Sequence, residues 1–330
     1  MRASLLKTTL KAMFSIQRTV CIEGPPGGGK TTIVKEVAQE LDVPIITIHL
    51  PLRKVEDFGM PKFEGDTHSF TCPDWFPAKG SVHDTGKGGV LLFDDRNQAD
   101  TDIQKVLANI CQARELNDTQ LADGWQVVST GNRKTDRAGA NRVLGHLRNR
   151  ETVLEFETDL NDSTQWMIDH QVKPEVIAFI RFRPGLLHDY DANRDGNPTP
   201  RSWVEGVSDV LGTVPPEAEY ECFKGAVGEG AAAEFYGFMR IWRKLPNPDA
   251  ILLNPTTADV PTDPATLYAL SGSLAQRLTV ANFDRAAQYA ERMPAEFSVL
   301  MVSLALKRDT SLSSTQAFIQ WSVRHQDVLF

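Results

Sequence analysis

Cysteine is scarce: Cys21, Cys72, Cys111 and Cys222 are the only four in 330 residues, and none forms a CxxC pair. A disulfide framework and a zinc ribbon are both disfavoured, and the thiols read as reduced ones of a cytoplasmic protein. The nearest thing to a metal set, His68, Cys72 and His83, reads as ordinary polar and core use. Long apolar runs are missing as well. The longest, near residues 297–306, falls far short of the about 20 needed to span a bilayer. There is no surplus of positive charge: 35 Lys plus Arg stand against 43 Asp plus Glu, a net charge of −8. That balance disfavours a generally basic nucleic-acid-binding surface but leaves room for a local basic patch. No internal repeat points to a solenoid. What remains is ordinary globular composition, 41% apolar and 24% charged, in a chain long enough for roughly two folded units.

Arg2, Lys7, Lys11 and Arg18 precede the first acid, Glu23, as in a transit peptide. Leu5, Leu6, Leu10, Met13 and Phe14, however, recur at helical spacing and lead straight into a strand, so the segment reads as an integral first helix. After that strand, at 19–23, come Gly24, Pro25, Pro26, Gly27, Gly28, Gly29, Lys30 and Thr31, then Thr32. The pattern is GxxxxGK[ST]. Glycines let the backbone wrap phosphates and aim successive N–H groups at them. Lys30 reaches the β and γ phosphates, Thr31 offers a hydroxyl to Mg²⁺, and a helix over 30–41 points its positive end at the same anion. A second apolar strand, 89–93, ends in Asp94 and Asp95, where a carboxylate can support Mg²⁺ and a second can polarise the attacking water. Asp94 takes the first role and Asp95, one methylene shorter than the usual Glu, the second. A third strand, 126–130, leads to Gly131 and Asn132, whose amide can report on a γ-phosphate.

In order and content these motifs resemble the AAA+ ATPases, and more closely their MoxR branch. GPPGGGKTT is similar to Walker A, VLLFDD to Walker B and STGN to the sensor 1 strand, with the loop to Arg142 after it. The resemblance implies an α/β fold: a P-loop core with a parallel sheet flanked by helices over 1–160, a small α-helical lid over 161–245 carrying sensor 2, and an extended connection followed by a helical C-terminal extension over 246–330. It also implies ATP and Mg²⁺ as cofactors, a ring homo-oligomer, most often a hexamer, and a remodelled protein client. A von Willebrand A domain partner is implied in the same way. The family pattern places an arginine finger just before the last core strand. Arg150 is the first choice and Arg148 the second, against a plain reading as cations at a helix end. Pro200, Arg201, Ser202 and Trp203 resemble sensor 2, with Arg201 aimed at the phosphates; a solvated helix start is the alternative.

Residues 51–87 resemble the clade's insert. Phe63, Phe70, Trp75 and Phe76 alternate there with Lys54, Lys62 and Lys79, either facing a ring pore to grip a polymer or packing a small hairpin on the core. Asp191, Asn193, Asp195 and Gly196 imitate half an EF-hand loop, but Ser202 stands where a bidentate Glu is needed, so a lid loop is preferred. The stretch 247–264, rich in Pro, Asn, Asp and Thr, reads as an extended connection, with helices resuming near Ala265. The expectation is Mg²⁺-dependent ATP hydrolysis coupled to remodelling of a protein. The rivals are a nucleic-acid motor and an ATP-gated assembly scaffold with weak hydrolysis, the latter suggested by the short Asp95.

Overall fold

Helix α1 (Ala3–Ser15) opens the chain and buries Leu6 and Leu10, as the helical spacing of its apolar residues requires. Strand β1 (Val20–Gly24), helix α2 (Lys30–Glu40) and strand β2 (Ile45–His49) follow. Lys7 and Lys11 of α1 pair with Glu36 and Glu40 of α2, so the basic character of the N-terminal segment is used within the fold. The computed structural model describes residues 1–136 and 143–325.

The segment after β2 carries the antiparallel hairpin β3 (Pro61–Glu64) and β4 (Thr67–Phe70). Then come β5 (Gly89–Asp94), α3 (Thr101–Ala113), the short hairpin β6 (Glu115–Leu116) and β7 (Thr119–Gln120), β8 (Trp125–Asn132), α4 (Gly145–Arg148) and β9 (Thr152–Glu155). Five strands form one parallel sheet in the order β2-β5-β8-β1-β9. Alternation along β5 explains the layers. Val90 and Leu92 join Leu6, Ile33 and Val37 on the face covered by α1 and α2. Leu91 and Phe93 join Ile103, Leu107 and Leu147 on the face covered by α3 and α4. Helices on both faces of a buried parallel sheet make this the expected α/β core.

The insert divides its aromatic residues. Phe76 is 1% exposed and Phe58 2%, both in the core beside Trp75, whereas Phe63 on β3 is 75% exposed and Phe70 on β4 48%. Phe63 lies opposite His68, and His68 touches both Phe63 and Phe70, so one hairpin face is aromatic and open to solvent. Packing on the core holds for Phe76 and not for Phe63 and Phe70. The root of the insert is fixed by Asn117, whose Nδ2 donates to the carbonyl of Phe58 at 2.6 Å. Gly59, at φ 141°, leaves room for that amide, which a Cβ would meet at 2.1 Å.

The second compact unit starts at Leu160, the first ending at Asp159. Its described α-helices are α5 (Leu160–Asp169), α6 (Pro174–Phe182), α7 (Pro216–Val227), α8 (Glu229–Trp242), α9 (Pro248–Leu253), α10 (Pro264–Arg277), α11 (Phe283–Ala290), α12 (Ala295–Arg308) and α13 (Gln316–Arg324). One apolar cluster centres on Phe179, Trp203, Phe223 and Phe235, a second on Leu270, Tyr289, Met301 and Trp321. Helix α10 contributes to both, through Ala269 and Leu270.

The stretch expected as an extended connection contains α9. Asn247 accepts from the backbone N–H of Asp249, Pro248 occupies the first helical position, and Ile251 and Leu252 are buried. A cap plus a pre-set φ and two anchoring side chains outweigh the turn-rich composition. In the half EF-hand loop, Arg194 donates to Asp189 at 2.7 Å and lies against Asp191, so a guanidinium neutralises the carboxylates there. No helix among the described residues is long and apolar enough to cross a membrane.

Candidate functional site

Parallel register brings the chemistry to one edge of the sheet. Gly24 at the end of β1 pairs with Asn132 at the end of β8, and His49 at the end of β2 pairs with Asp94 at the end of β5. Ligand sites of open α/β sheets lie at this carboxyl edge. The loop from Gly24 to Gly29 turns between β1 and α2, with Gly27 at φ 68° and Gly29 at φ 100°, left-handed conformations that favour glycine. Nothing lies within 4 Å of the position a Cβ would take at Gly29. Gly24 serves packing, since a Cβ there would stand 2.8 Å from the carbonyl oxygen of Phe156. Pro25 supplies a carbonyl that accepts from the Gly28 N–H at 3.3 Å, and Pro26 follows it in the turn. Thr31 and Thr32 lie in the first turn of α2, at the helix end whose N–H groups lack intrahelical acceptors.

Lys30 is 7% exposed. Its Nζ donates to the carbonyls of Gly24 (3.0 Å) and Pro25 (2.9 Å) and to Oδ1 of Asn132 (2.9 Å). Lys30 and Asn132, 102 positions apart, thus meet side chain to side chain. Thr31 Oγ1 donates to Asp94 Oδ1 at 2.8 Å, Thr130 Oγ1 donates to the same oxygen, and Asp94 Oδ2 stands 3.2 Å from His49 Nδ1. Asp95 adopts φ 56°, a left-handed conformation that Asp tolerates better than most residues, and its N–H donates to Thr130 Oγ1 at 3.1 Å. Oxygen donors on Thr31 and Asp94 at hydrogen-bond distance suit a hard divalent cation such as Mg²⁺.

The two arginine candidates differ. Arg148, at the end of α4, is largely exposed and donates to Glu23 Oε2 at 3.2 Å within its own chain. Arg150 is half-buried, and its charge, with that of Arg96, opposes the burial that pushes the Cys111 thiol up to about 12. In the second unit Arg201 is exposed at a helix start. Thr199 and Ser202 exchange side-chain to backbone hydrogen bonds there, and a π-helix, Ser202–Ser208, follows. Of the loop after Asn132, residues 137–142 lie outside the described residues.

Six further residues support the first unit's site: Glu23, His49, Arg96, Asn97 and Thr130 towards the carboxyl edge, and Glu151 at the other end of the sheet, just before β9. Asn97 donates to the carbonyl of Asn132 at 2.6 Å and accepts its N–H at 3.2 Å. Arg96, with no exposure, bridges Glu23 and Glu151. Position beside a motif offered a signal for Glu23, which directly precedes the glycine loop, and for Thr130, two residues before Asn132.

Among solved structures the chain is similar to NtrX from Brucella abortus in complex with ADP, at 13% identity over 98% of this chain and 67% of that one, TM-score 0.36. Two mutants of RuvB from Thermotoga maritima are also similar. One is 18% identical over 82% of this chain and 79% of that one, TM-score 0.39; the other is 17% identical with the same coverage, TM-score 0.40. Each TM-score is too low to assign a shared function. No curated protein matches the chain. Residues 20–60, which hold β1, the glycine loop, α2 and β2, match the AAA family, described as the ATPase family associated with various cellular activities.

Proposed function

We propose that the chain hydrolyses ATP with Mg²⁺ as a MoxR-like AAA+ ATPase, working as a ring homo-oligomer, a hexamer, that remodels a protein partner. The observation that carries the nucleotide site is the meeting of Lys30, Thr31, Asp94 and Asn132 at one sheet edge. Backbone N–H groups from Gly27 to Thr32 and the Lys30 ammonium bind the triphosphate; three neutral oxygens hold that ammonium ready. Thr31 and Asp94 would hold Mg²⁺, which supplies charge neutralisation at the phosphate oxygens. Asp95 orients the attacking water, and Asn132, already hydrogen-bonded to Lys30, senses the γ-phosphate. Arg150 is donated to the neighbouring subunit's ATP, a choice supported by Arg148 being engaged with Glu23 in its own chain. Arg201, in the lid at 161–245, is the sensor 2 arginine of the same proposal.

The open aromatic face at Phe63, His68 and Phe70 is a grip for an extended polymer. Aromatic faces also stack nucleic-acid bases, which favours a second reading as a nucleic-acid motor. Lys62 on this hairpin, however, is paired with Glu64 at 2.6 Å, and the chain carries −8 overall, so a protein client fits better. A von Willebrand A domain protein and a cytoplasmic setting belong to the same proposal. Phosphate release by the wild type with ATP and Mg²⁺, lost on chelation and in Lys30→Met, is the test. Release unaffected by Lys30→Met sinks the site assignment, and stimulation by single-stranded DNA that collapses with salt favours the motor.

A further inference from the structure

Arg96 follows Asp95 directly, and its side chain is fully buried. Its Nη2 donates to Glu23 Oε1 at 2.7 Å, and its Nη1 pairs with Glu151 Oε2. Each carboxylate has a second partner: Glu23 Oε2 accepts from Arg148 at 3.2 Å, and Glu151 Oε1 accepts from Ser129 Oγ at 2.6 Å. The chain Arg148–Glu23–Arg96–Glu151 holds two cations and two anions, so its charges balance along a line from the exposed Arg148 to the buried Glu151. Its members come from four places: the strand leading into the glycine loop, the turn after β5, the end of α4, and the residue before β9. A planar guanidinium presents its donors on separate nitrogens in a fixed fork, which suits two carboxylates that stand apart.

We propose that Arg96 is a positioning residue that fixes two catalytic elements at once; the inference rests on the ATPase reading above. The first element is Asp95. The turn is pinned before it by Asp94, bonded to Thr31 and Thr130, and after it by Arg96 and Asn97, so the left-handed Asp95 has its direction set from both sides. The second is Arg150. It lies between Arg148 and Glu151, and both flanking side chains belong to the network centred on Arg96. One buried side chain therefore links the carboxylate that orients water in a subunit's own site to the arginine that the same subunit lends to its neighbour. A misplacement of about 1 Å at reacting groups costs up to about 10²-fold in rate. Loosening Arg96 acts on both groups, while the phosphate loop keeps the Lys30 hydrogen bonds to the Gly24 and Pro25 carbonyls.

The test uses the full chain as Arg96→Lys, which keeps the charge but replaces the fixed fork by a single compact ammonium, and as the charge-balanced pair Arg96→Gln with Glu151→Gln. The expected result is ATP binding within about 3-fold of wild type and kcat lower by about 10²-fold. Hydrogen exchange should rise together at 94–98 and 145–151 and stay unchanged at 61–70. Turnover within about 3-fold of wild type in both variants overturns the proposal. So does ATP affinity that falls in step with melting temperature, because that marks a purely structural role. A wild type without turnover sinks the ATPase reading instead, and the exchange pattern then decides the linkage: no joint rise in the two segments refutes it.

Discussion

Lys30→Met separates binding from folding. The Lys30 ammonium is held by the Gly24 and Pro25 carbonyls and the Asn132 amide oxygen, all neutral, inside a nearly closed site. Methionine keeps the unbranched stem and removes the charge. The hydrogen bonds to these oxygens disappear, at about 1.5–3 kcal/mol each because the donor is charged, while the cost of keeping a cation out of water, of similar size, disappears too. Folding stability should therefore change by no more than about 1 kcal/mol, or about 2–4 °C in melting temperature for a unit of this size. Nucleotide binding has no such offset. Lost charge-assisted contacts to two phosphates, at about 1.5–3 kcal/mol each, total about 3–6 kcal/mol, which is about 10²–10⁴-fold in Kd. Calorimetric titration with MgATP beside a thermal melt measures both quantities on one sample. A Kd within about 3-fold of wild type, with an unchanged melt, refutes the reasoning about Lys30.

Gly24→Ala would press a methyl against the Phe156 carbonyl, 2.8 Å from the Cβ position; overpacking of this kind should cost about 1–3 kcal/mol in a denaturant titration, and an unchanged midpoint contradicts the close approach. Burial pushes the Cys21 thiol up to about 11 and Cys111 up to about 12, with Arg96 pulling the other way in both cases. Because these values are raised, the folded state keeps protons that the unfolded chain has shed. The contribution is whole below the ordinary thiol value, about 8.5, and is lost as pH rises through about 11 to 12. Stability should fall from pH 8 to pH 10, and a thiol reagent at pH 8 should label Cys222 well before Cys21 or Cys111. Equal labelling rates contradict the burial.

What the sequence made legible is local. The glycine spacing, the apolar strand ending in Asp94 and Asp95, and Gly131 with Asn132 each announce a strand tip within a few residues, and each lies at the carboxyl edge of the sheet. Contacts between distant segments left no such trace. Arg96 meets Glu23 across 73 positions, and no periodicity links a residue in one turn to a carboxylate on another strand. His49 ends β2, and only the strand order, with β2 beside β5, puts it against Asp94. Position outside or inside the hairpin also decided the insert: all eight residues of β3 and β4 are exposed, whereas Phe76 follows the hairpin and packs in the core, so Phe63 and Phe76 looked equivalent in sequence and differ in exposure. Helix α9 was hidden by composition, because its Asn and Pro signal a turn and a helix start equally well.

The central claim is that each ATP site is shared between two subunits, with Asp95 from one and Arg150 from the other. Asp95→Asn and Arg150→Ala should each bind ATP and turn over slowly. Mixed in equal amounts they create interfaces with both groups intact, about a quarter of the total for random assembly of a head-to-tail ring. Phosphate release from the mixture should therefore rise well above that of either variant alone, towards about a quarter of the wild-type rate. A mixture no faster than the average of its two components, under conditions where mass measurement shows mixed assemblies, contradicts the shared site.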